Sequence, residues 1–315
     1  MGEKPELLEL MQMPPRVAET MAGRYKVHAL WDAADKAALL ADVADAITGV
    51  VTMGHGGCTA DLMGQLPNLK MVSVFGVGYD GVDVGHATAN GIKVSNTPDV
   101  LTDEVANLAV GLTLALTREI PKADSYVREG RWLKGEMPFN RTIVNRPVGV
   151  VGMGRIGRAT ADRLAALGAI VSWYGPRPKP DVPYPFDPDI AHLAANMDGL
   201  VLCCPGGPAT KHLVNRAVIN ALGPDGWLVN VARGSVVEED ALVEALLGKR
   251  IWGAGLDVFA HEPKVPSALF DLDNVVLQPH QASATVATRH AMADLVVENL
   301  DLFYAGKPLK TPVTA

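Results

Sequence analysis

Four polar side chains stand at or just past short apolar runs in the second half of the chain. Arg233 follows the run 227–231, Asp257 closes the run 253–257 with Glu262 beyond it, and His280 follows 275–277. Read as strands of an α/β sheet, these runs carry the four residues at their carboxyl ends, outside which ligands of open sheets bind. The types complement one another. A guanidinium pairs with carboxylate or phosphate, carboxylates orient donors, and an imidazole takes up or gives off a proton near neutral pH. Singly, a strand-end arginine or glutamate reads as a solvated charge and a lone histidine as structural. As a set behind a dinucleotide loop they read as a site for anion binding and proton transfer.

That loop is Val150-Val151-Gly152-Met153-Gly154-Arg155-Ile156-Gly157. It follows a strand and opens a helix, the context that makes G-x-G-x-x-G specific. Gly152 permits the tight turn, Gly154 lets the backbone approach a pyrophosphate, and Gly157 lets helix and strand pack closely. The free N–H groups of the first helical turn, around Arg155 and Ile156, then face the phosphates at the positive end of the helix dipole.

A site for NAD places an acid about 20 residues further on, against the ribose 2′-hydroxyl. Here the sequence is WYGPRPKP over 173–180, and no acid stands between Asp162 and Asp181. Gly175 occupies the expected position. A carboxylate there would oppose a 2′-phosphate by about 4 kcal/mol per charge pair at about 4 Å and an effective dielectric near 20. Gly175 removes that repulsion, and Arg177 and Lys179 offer cations instead. Arginine suits phosphate because its planar fork donates two hydrogen bonds at once. NADPH/NADP is therefore expected in preference to NADH/NAD.

The elements that position these residues alternate strand and helix from end to end, which implies mostly parallel sheets with covered faces. Strands at 47–53, 70–75 and 92–95, with short helices at 59–66 and 83–90, make a first series. A second begins near 147, with strands at 148–151, 169–174, 199–204, 227–231, 253–257 and 275–277. Its helices include 155–167 and 238–247, ended by Gly168 and Gly248. Six strands with crossovers match a doubly wound nucleotide-binding sheet. Helical stretches at 102–119, stopped by Pro121, and at 284–304 flank the second series, and Thr102 with Asp103 is the candidate cap of the first. Each stretch carries the chain between domains. The fold class expected is α/β, with two Rossmann-like doubly wound parallel-sheet domains, the substrate domain discontinuous. The division expected is a substrate domain over 1–98, a dinucleotide-binding domain over 99–284, and a helix and tail over 285–315 returning to the substrate domain. Residues 122–147 read as an irregular arm, with Trp132 and Phe139 buried either against a partner subunit or within a self-packed loop. The proline-rich stretch 176–188 reads as a loop.

Composition fits a folded soluble protein: 315 residues, 48% hydrophobic and 20% charged. The net charge is −7 without runs of like charge, which disfavours nucleic acid and anionic membrane as partners. No apolar run approaches the roughly 20 residues that span a bilayer. The start lacks the apolar core of a signal peptide. It opens Met1-Gly2 like a myristoylation signal, but Glu6 stands where serine or threonine is wanted. Cys58, Cys203 and Cys204 lack the spacing of a disulfide framework or zinc site. Cys203 and Cys204 read as small apolar residues of a buried strand, and a reducing cytoplasm is expected.

With these features assembled, the chain resembles the D-2-hydroxyacid dehydrogenase family. The stretches that carry the likeness are Phe75-Gly76-Val77-Gly78-Tyr79-Asp80, residues 149–157, residues 230–234, residues 255–262 and Pro279-His280. Within the family the likeness is to NADPH-dependent glyoxylate/hydroxypyruvate reductases, through residues 96–103 and Met292-Ala293-Asp294-Leu295-Val296. The resemblance implies Arg233, Glu262 and His280 as the catalytic trio, and the Val77 and Gly78 amides, with Arg233 and His280, as substrate contacts. It implies Thr102, Cys204, Pro205, Thr210, Val231, Ala232 and Asp257 as further cofactor contacts, and a homodimer joined through the cofactor domain. The chain departs from the family pattern at Ala260-His261, at Gly206-Gly207 and at Gln281. Glu262 keeps its five-residue offset from Asp257, so its assignment stands.

The chemistry asks for these types. A 2-oxo acid presents a carboxylate and a ketone. Arg233 binds the first and polarises the second, His280 donates the proton, and Glu262 orients the imidazole and stabilises its charged form. Close approach of loop amides near 76–78 needs glycine. Closure about a hinge near 98–102 and 284 would exclude water. Within the family, 2-ketogluconate and phenylpyruvate are alternative substrates. A dinucleotide-sensing corepressor on the same fold stays open as a reading from another class. A Rossmann methyltransferase conflicts with the Arg, Glu and His trio.

Overall fold

The computed structural model describes residues 4–314, so the Met1-Gly2 reading falls outside the described residues. Along the chain the elements are β1 (Glu6–Glu9), α1 (Pro15–Arg24), β2 (Lys26–Ala29), α2 (Lys36–Val43), β3 (Ile47–Met53), α3 (Ala60–Gly64), β4 (Met71–Phe75), α4 (Val84–Ala89) and β5 (Lys93–Ser95). They continue with α5 (Thr102–Thr117), α6 (Ile120–Arg128), β6 (Pro147–Val151), α7 (Arg155–Ala166), β7 (Ile170–Tyr174), β8 (Phe186–Asp187), α8 (Ile190–Asn196), β9 (Gly199–Leu202), α9 (Arg216–Leu222), β10 (Trp227–Asn230), α10 (Glu239–Leu247), β11 (Gly253–Leu256) and β12 (Val275–Leu277). The chain closes with α11 (Val286–Tyr304) and β13 (Pro312–Val313). Two compact units result, one running to Leu101 and resuming at Thr285, the other Thr102–Ala284.

In the discontinuous unit the sheet order is β13-β5-β4-β3-β1-β2. All pairs are parallel except β13, which runs antiparallel along β5. Strands β3 and β4 are near-continuous apolar runs because both sheet faces are covered. Asp35, Thr59, Asp83 and Thr285 each accept a first-turn N–H and so start α2, α3, α4 and α11. One core cluster joins Leu8, Val50, Val72 and Val74 with Met63, Leu66 and Ala87 from the helical side.

In the continuous unit seven parallel strands take the order β12-β11-β10-β9-β6-β7-β8. The chain builds outward from β6 to β7 and β8, then returns to β9 and builds the other way. The order therefore reverses between β6 and β9, the switch point where doubly wound sheets bind dinucleotides. Its core packs Leu200, Leu202, Leu228 and Leu256 of the strands against Leu193, Ile219 and Leu242 of the helices.

Several expectations need correction. The stretch 176–188 is not all loop. Phe186–Asp187 pairs with Trp173 and Tyr174 as a seventh strand, and Phe186 stacks on Trp173 with centroids 4.7 Å apart. The stretch 122–147 is not all irregular, because α6 fills its first part and a 3-10 turn spans Arg131–Lys134. Pro121 stops α5 by opening α6, whose first turn tolerates a residue without an N–H. Trp132, Leu133 and Phe139 are 66%, 94% and 100% exposed, so these side chains are not buried within the arm. Cys203 and Cys204 stand just past β9 rather than within it.

Candidate active site

The glycine loop has the shape its residues predict. Gly152 takes φ +93°, and a Cβ there would lie 2.6 Å from the backbone of Cys204. Beta carbons are excluded at Gly157 too, by the carbonyl oxygen of Gly152 itself. Gly154 differs, since the space beside its Cα is open. It begins α7, and no side chain caps that helix. The open glycine and the first-turn amides thus lie at the switch point, where Cys204 packs directly against Gly152. Burial pushes the Cys204 thiol up to about 11 and the neighbouring Cys203 thiol up to about 12, so both are neutral.

Beyond β7 the chain is tied back onto α7. Arg158 donates to the Asp181 carboxylate at 2.6 Å and to its carbonyl at 3.1 Å, and this guanidinium holds the Asp181 carboxyl below its ordinary range. Tyr184 donates its hydroxyl to Asp162 at 2.7 Å, and Trp173 donates its indole N–H to the Tyr184 carbonyl at 3.1 Å. Lys179 donates to the Met153 carbonyl, inside the glycine loop, at 2.7 Å. Arg177 is exposed and makes no hydrogen bond or ion pair among the described residues. Gly175 is buried, and a Cβ on it would lie 2.9 Å from the Trp173 ring. The space a side chain would need at Gly175 thus belongs to Trp173, which is 1% exposed.

At the other strand ends, His280 and Glu262 meet directly, His280 Nδ1 to Glu262 Oε2 at 2.7 Å. The second Glu262 oxygen accepts the Phe259 N–H at 3.0 Å, which fixes the carboxylate plane. His280 adopts φ +54°, a left-handed conformation that a non-glycine residue holds only when its surroundings impose it. Asp257 imposes it. Its carbonyl accepts the His280 N–H at 2.8 Å, and its two carboxylate oxygens accept the Gln281 and Ala282 N–H groups at 2.7 and 3.1 Å. The Asp257 carboxyl is fully buried, and burial pushes it above its ordinary value against the pull of those two amides. Arg233 is set by a similar device. Asn230 is buried; its oxygen accepts from Ala232 N at 3.0 Å and its amide donates to Arg233 O at 3.0 Å. Any Cβ on Gly234 would collide with the Phe259–Ala260 backbone, so the Arg233 turn docks against the segment that leads to Glu262.

In the discontinuous unit, the loop after β4 carries Val77 and Gly78. Gly76 exchanges hydrogen bonds with Thr97, its N–H to the hydroxyl at 3.0 Å and its carbonyl from Thr97 N at 2.8 Å. Asn96 donates to the Val77 carbonyl at 2.8 Å. The Val77 and Gly78 N–H groups donate to no group among the described residues.

Residues 110–282 match the family described as D-isomer specific 2-hydroxyacid dehydrogenase, NAD binding domain. The chain belongs to that family. It is 45% identical over 307 residues to a glyoxylate/hydroxypyruvate reductase of Arabidopsis thaliana, with 98% of both chains covered. It is likewise 45% identical over 307 residues to a hydroxyphenylpyruvate reductase of Plectranthus scutellarioides, again over 98% of each. A crystal structure of an NADPH-dependent glyoxylate/hydroxypyruvate reductase from Sinorhizobium meliloti, in complex with NADP and malonate, superposes with a TM-score of 0.91. It shares 41% identity, over 99% of this chain and 97% of that one. This D-2-hydroxyacid dehydrogenase is thus an oxidoreductase acting on CH–OH groups, and the open, uncapped glycine loop fits the nicotinamide dinucleotide that its family uses.

Of the other expected site residues in this dehydrogenase, Val231 and Ala232 lie buried just past β10. Thr210 closes the loop after Cys204-Pro205 by donating to the Pro205 carbonyl at 2.7 Å. Thr102 is the first residue of α5, and its neighbour Asp103 pairs with Arg163 of α7 at 2.7 Å. Sequence reasoning missed the holding parts of Asn96, Thr97, Asn230 and Trp173. The first three fall inside stretches that carried the family likeness, but only the fold shows what they touch. No group of metal-ligating side chains and no helix long and apolar enough to cross a membrane occurs among the described residues.

Proposed function

We propose that this dehydrogenase is an NADPH-dependent reductase of small 2-oxo acids, glyoxylate and hydroxypyruvate foremost. The observation that carries the reading is the His280–Glu262 pair, held past β12 on the same sheet as the open glycine loop. The nicotinamide, when bound, supplies the hydride. His280 gives its Nε2 proton to the ketone oxygen as alkoxide charge develops, and serves as base in the reverse direction. Glu262 keeps the proton on Nδ1 and offsets the charge of the imidazolium. Arg233 binds the substrate carboxylate and lowers the energy of the developing alkoxide. The Val77 and Gly78 amides take carboxylate oxygens. An aromatic 2-oxo acid is the second reading, favoured by the equal identity to the hydroxyphenylpyruvate reductase. Turnover of NADPH with glyoxylate, hydroxypyruvate, 2-ketogluconate and phenylpyruvate tests both; the first two are expected to give the highest kcat/KM.

Arg177 reads the 2′-phosphate. Its support is an exposed, unengaged guanidinium past β7, in a chain with no acid at that strand end. A hydrogen bond to a charged group contributes about 1.5–3 kcal/mol. Arg177→Ala is therefore expected to lower kcat/KM for NADPH by about 10- to 100-fold and leave NADH within about twofold. Equal losses with both cofactors would contradict the assignment. Gly175→Asp is the wrong variant for this test, because its Cβ meets the Trp173 ring before its charge meets any ligand.

The protein acts as a homodimer joined through the continuous unit, as the exposed Trp132, Leu133 and Phe139 support. Light scattering is expected to give twice the chain mass, and Phe139→Asp to shift it towards one; a monomeric wild type would sink this reading. Three free cysteines, each thiol pushed up by burial, fit a reducing cytoplasm.

A further inference from the structure

Lys179 was expected beside Arg177 as a second cation for the 2′-phosphate. Its observed partner is different. The ammonium donates to the carbonyl of Met153, the residue between Gly152 and Gly154, at 2.7 Å. Met153 is itself 3% exposed, so its side chain anchors inward while its carbonyl meets the lysine.

We propose that Lys179 is a positioning residue for the dinucleotide loop, serving NADH and NADPH alike. The argument starts from the loop's composition. Gly152 and Gly154 supply no side chain to brace it, and no side chain caps α7. Glycine gives close approach to phosphate but leaves more backbone freedom to lose than any other residue. Something else must hold the turn if its amides are to be aimed before the ligand arrives. A charge-assisted hydrogen bond to the central carbonyl does this, since such bonds are roughly twice as strong as neutral ones.

The lysine is itself held. Val182 N–H donates to the Lys179 carbonyl at 3.1 Å, and Arg158 grips Asp181 through both its carbonyl and its carboxylate. Pro178 and Pro180 flank the lysine and fix its neighbours' φ. The brace thus runs from α7 through Asp181 to Lys179 and back to the loop that opens α7. It closes on a backbone atom, and nothing in it depends on a 2′-phosphate. The proposal rests on the dinucleotide reading of the loop but not on the preference for NADPH.

The test is direct binding, with the whole protein and both reduced cofactors, by nucleotide fluorescence or calorimetry. Lys179→Met keeps the chain's length and removes the donor. It is expected to weaken NADPH and NADH by the same factor, about tenfold. The unfolding midpoint and kcat at saturating cofactor should stay near wild type. Lys179→Arg, which still donates, should return both dissociation constants to within about threefold of wild type. Loss of NADPH affinity alone would overturn the proposal and make Lys179 a phosphate contact. Unchanged affinity for both would overturn it as well. If the wild type bound neither cofactor, the dinucleotide reading would fall with it, a result distinct from the other two.

Discussion

His280→Ala is expected to lower kcat for reduction by about 100- to 10,000-fold, the range that general acid catalysis contributes. The imidazole has one nitrogen committed. Nδ1 faces Glu262 Oε2 at 2.7 Å, and that carboxylate is locked by the Phe259 amide. On the proposed mechanism, a ring held in this way keeps Nδ1 on Glu262 and offers Nε2 to the substrate. The left-handed backbone at position 280 and the three hydrogen bonds from the 280–282 turn to Asp257 aim the ring before substrate binds. Alanine also fits that backbone poorly, so the control matters. NADPH affinity should be kept, because the glycine loop lies at other strands, and His280→Asn tolerates the left-handed conformation better than Ala. Near-normal turnover in both variants would remove His280 from the mechanism.

Arg233 carries the second large effect. Arg233→Ala is expected to cost about 100- to 1,000-fold in kcat/KM, the cost of losing one preorganised donor to a developing oxyanion. Two tasks are lost together, binding of the carboxylate and stabilisation of the alkoxide, so KM should rise while kcat falls. Arg233→Lys tests whether charge alone suffices. The turn that carries residue 233 is pinned by Asn230 on both sides and seated by Gly234, so a lysine would start from the same place. It lacks the planar fork, and most of the loss should remain. Full recovery by lysine would show that only net charge matters at this position.

How much of this was legible in the residues depends on the kind of signal. The switch-point crevice was written in local patterns. A strand, three glycines at fixed spacing and a helix occur together, and a polar residue ends each later strand. Apolar runs such as PVGVV and GLVL mark buried parallel strands once glycines bound them. Strands near the sheet margins were harder. Strand β1 reads Glu-Leu-Leu-Glu, and its acids look like surface residues. Glu9 is buried because Met13 N–H and the Trp31 indole N–H satisfy its oxygens, and Glu6 is answered by Lys26 and His28 of β2. Those partners lie up to 22 residues away, where no periodicity reaches. Strand β8 was hidden among prolines for a related reason. Two residues suffice at a sheet edge when Phe186 stacks on Trp173, and prolines are tolerated there.

At the site the same division holds. Arg233, Glu262 and His280 stood out because complementary polar types follow successive strands, and the fold brings Glu262 and His280 together. The supports were not legible, because Asp257 and Thr97 act through backbone groups of distant segments and Asn230 through the turn that follows it. The surroundings of Gly175 were hidden for that reason too. Its missing side chain reads in the sequence as a missing charge, whereas the fold also fills that space with Trp173. Lys179 looked like a ligand cation and is engaged by the loop itself.

The central claim is that a nicotinamide site and the trio of Arg233, Glu262 and His280 together reduce a 2-oxo acid. Its most direct test is steady-state oxidation of reduced cofactor by the purified protein, with glyoxylate and with hydroxypyruvate, each with NADPH and with NADH. The account predicts turnover with at least one of the two acids and a higher kcat/KM for NADPH. No oxidation of either cofactor with these acids, nor with 2-ketogluconate or phenylpyruvate, would contradict it.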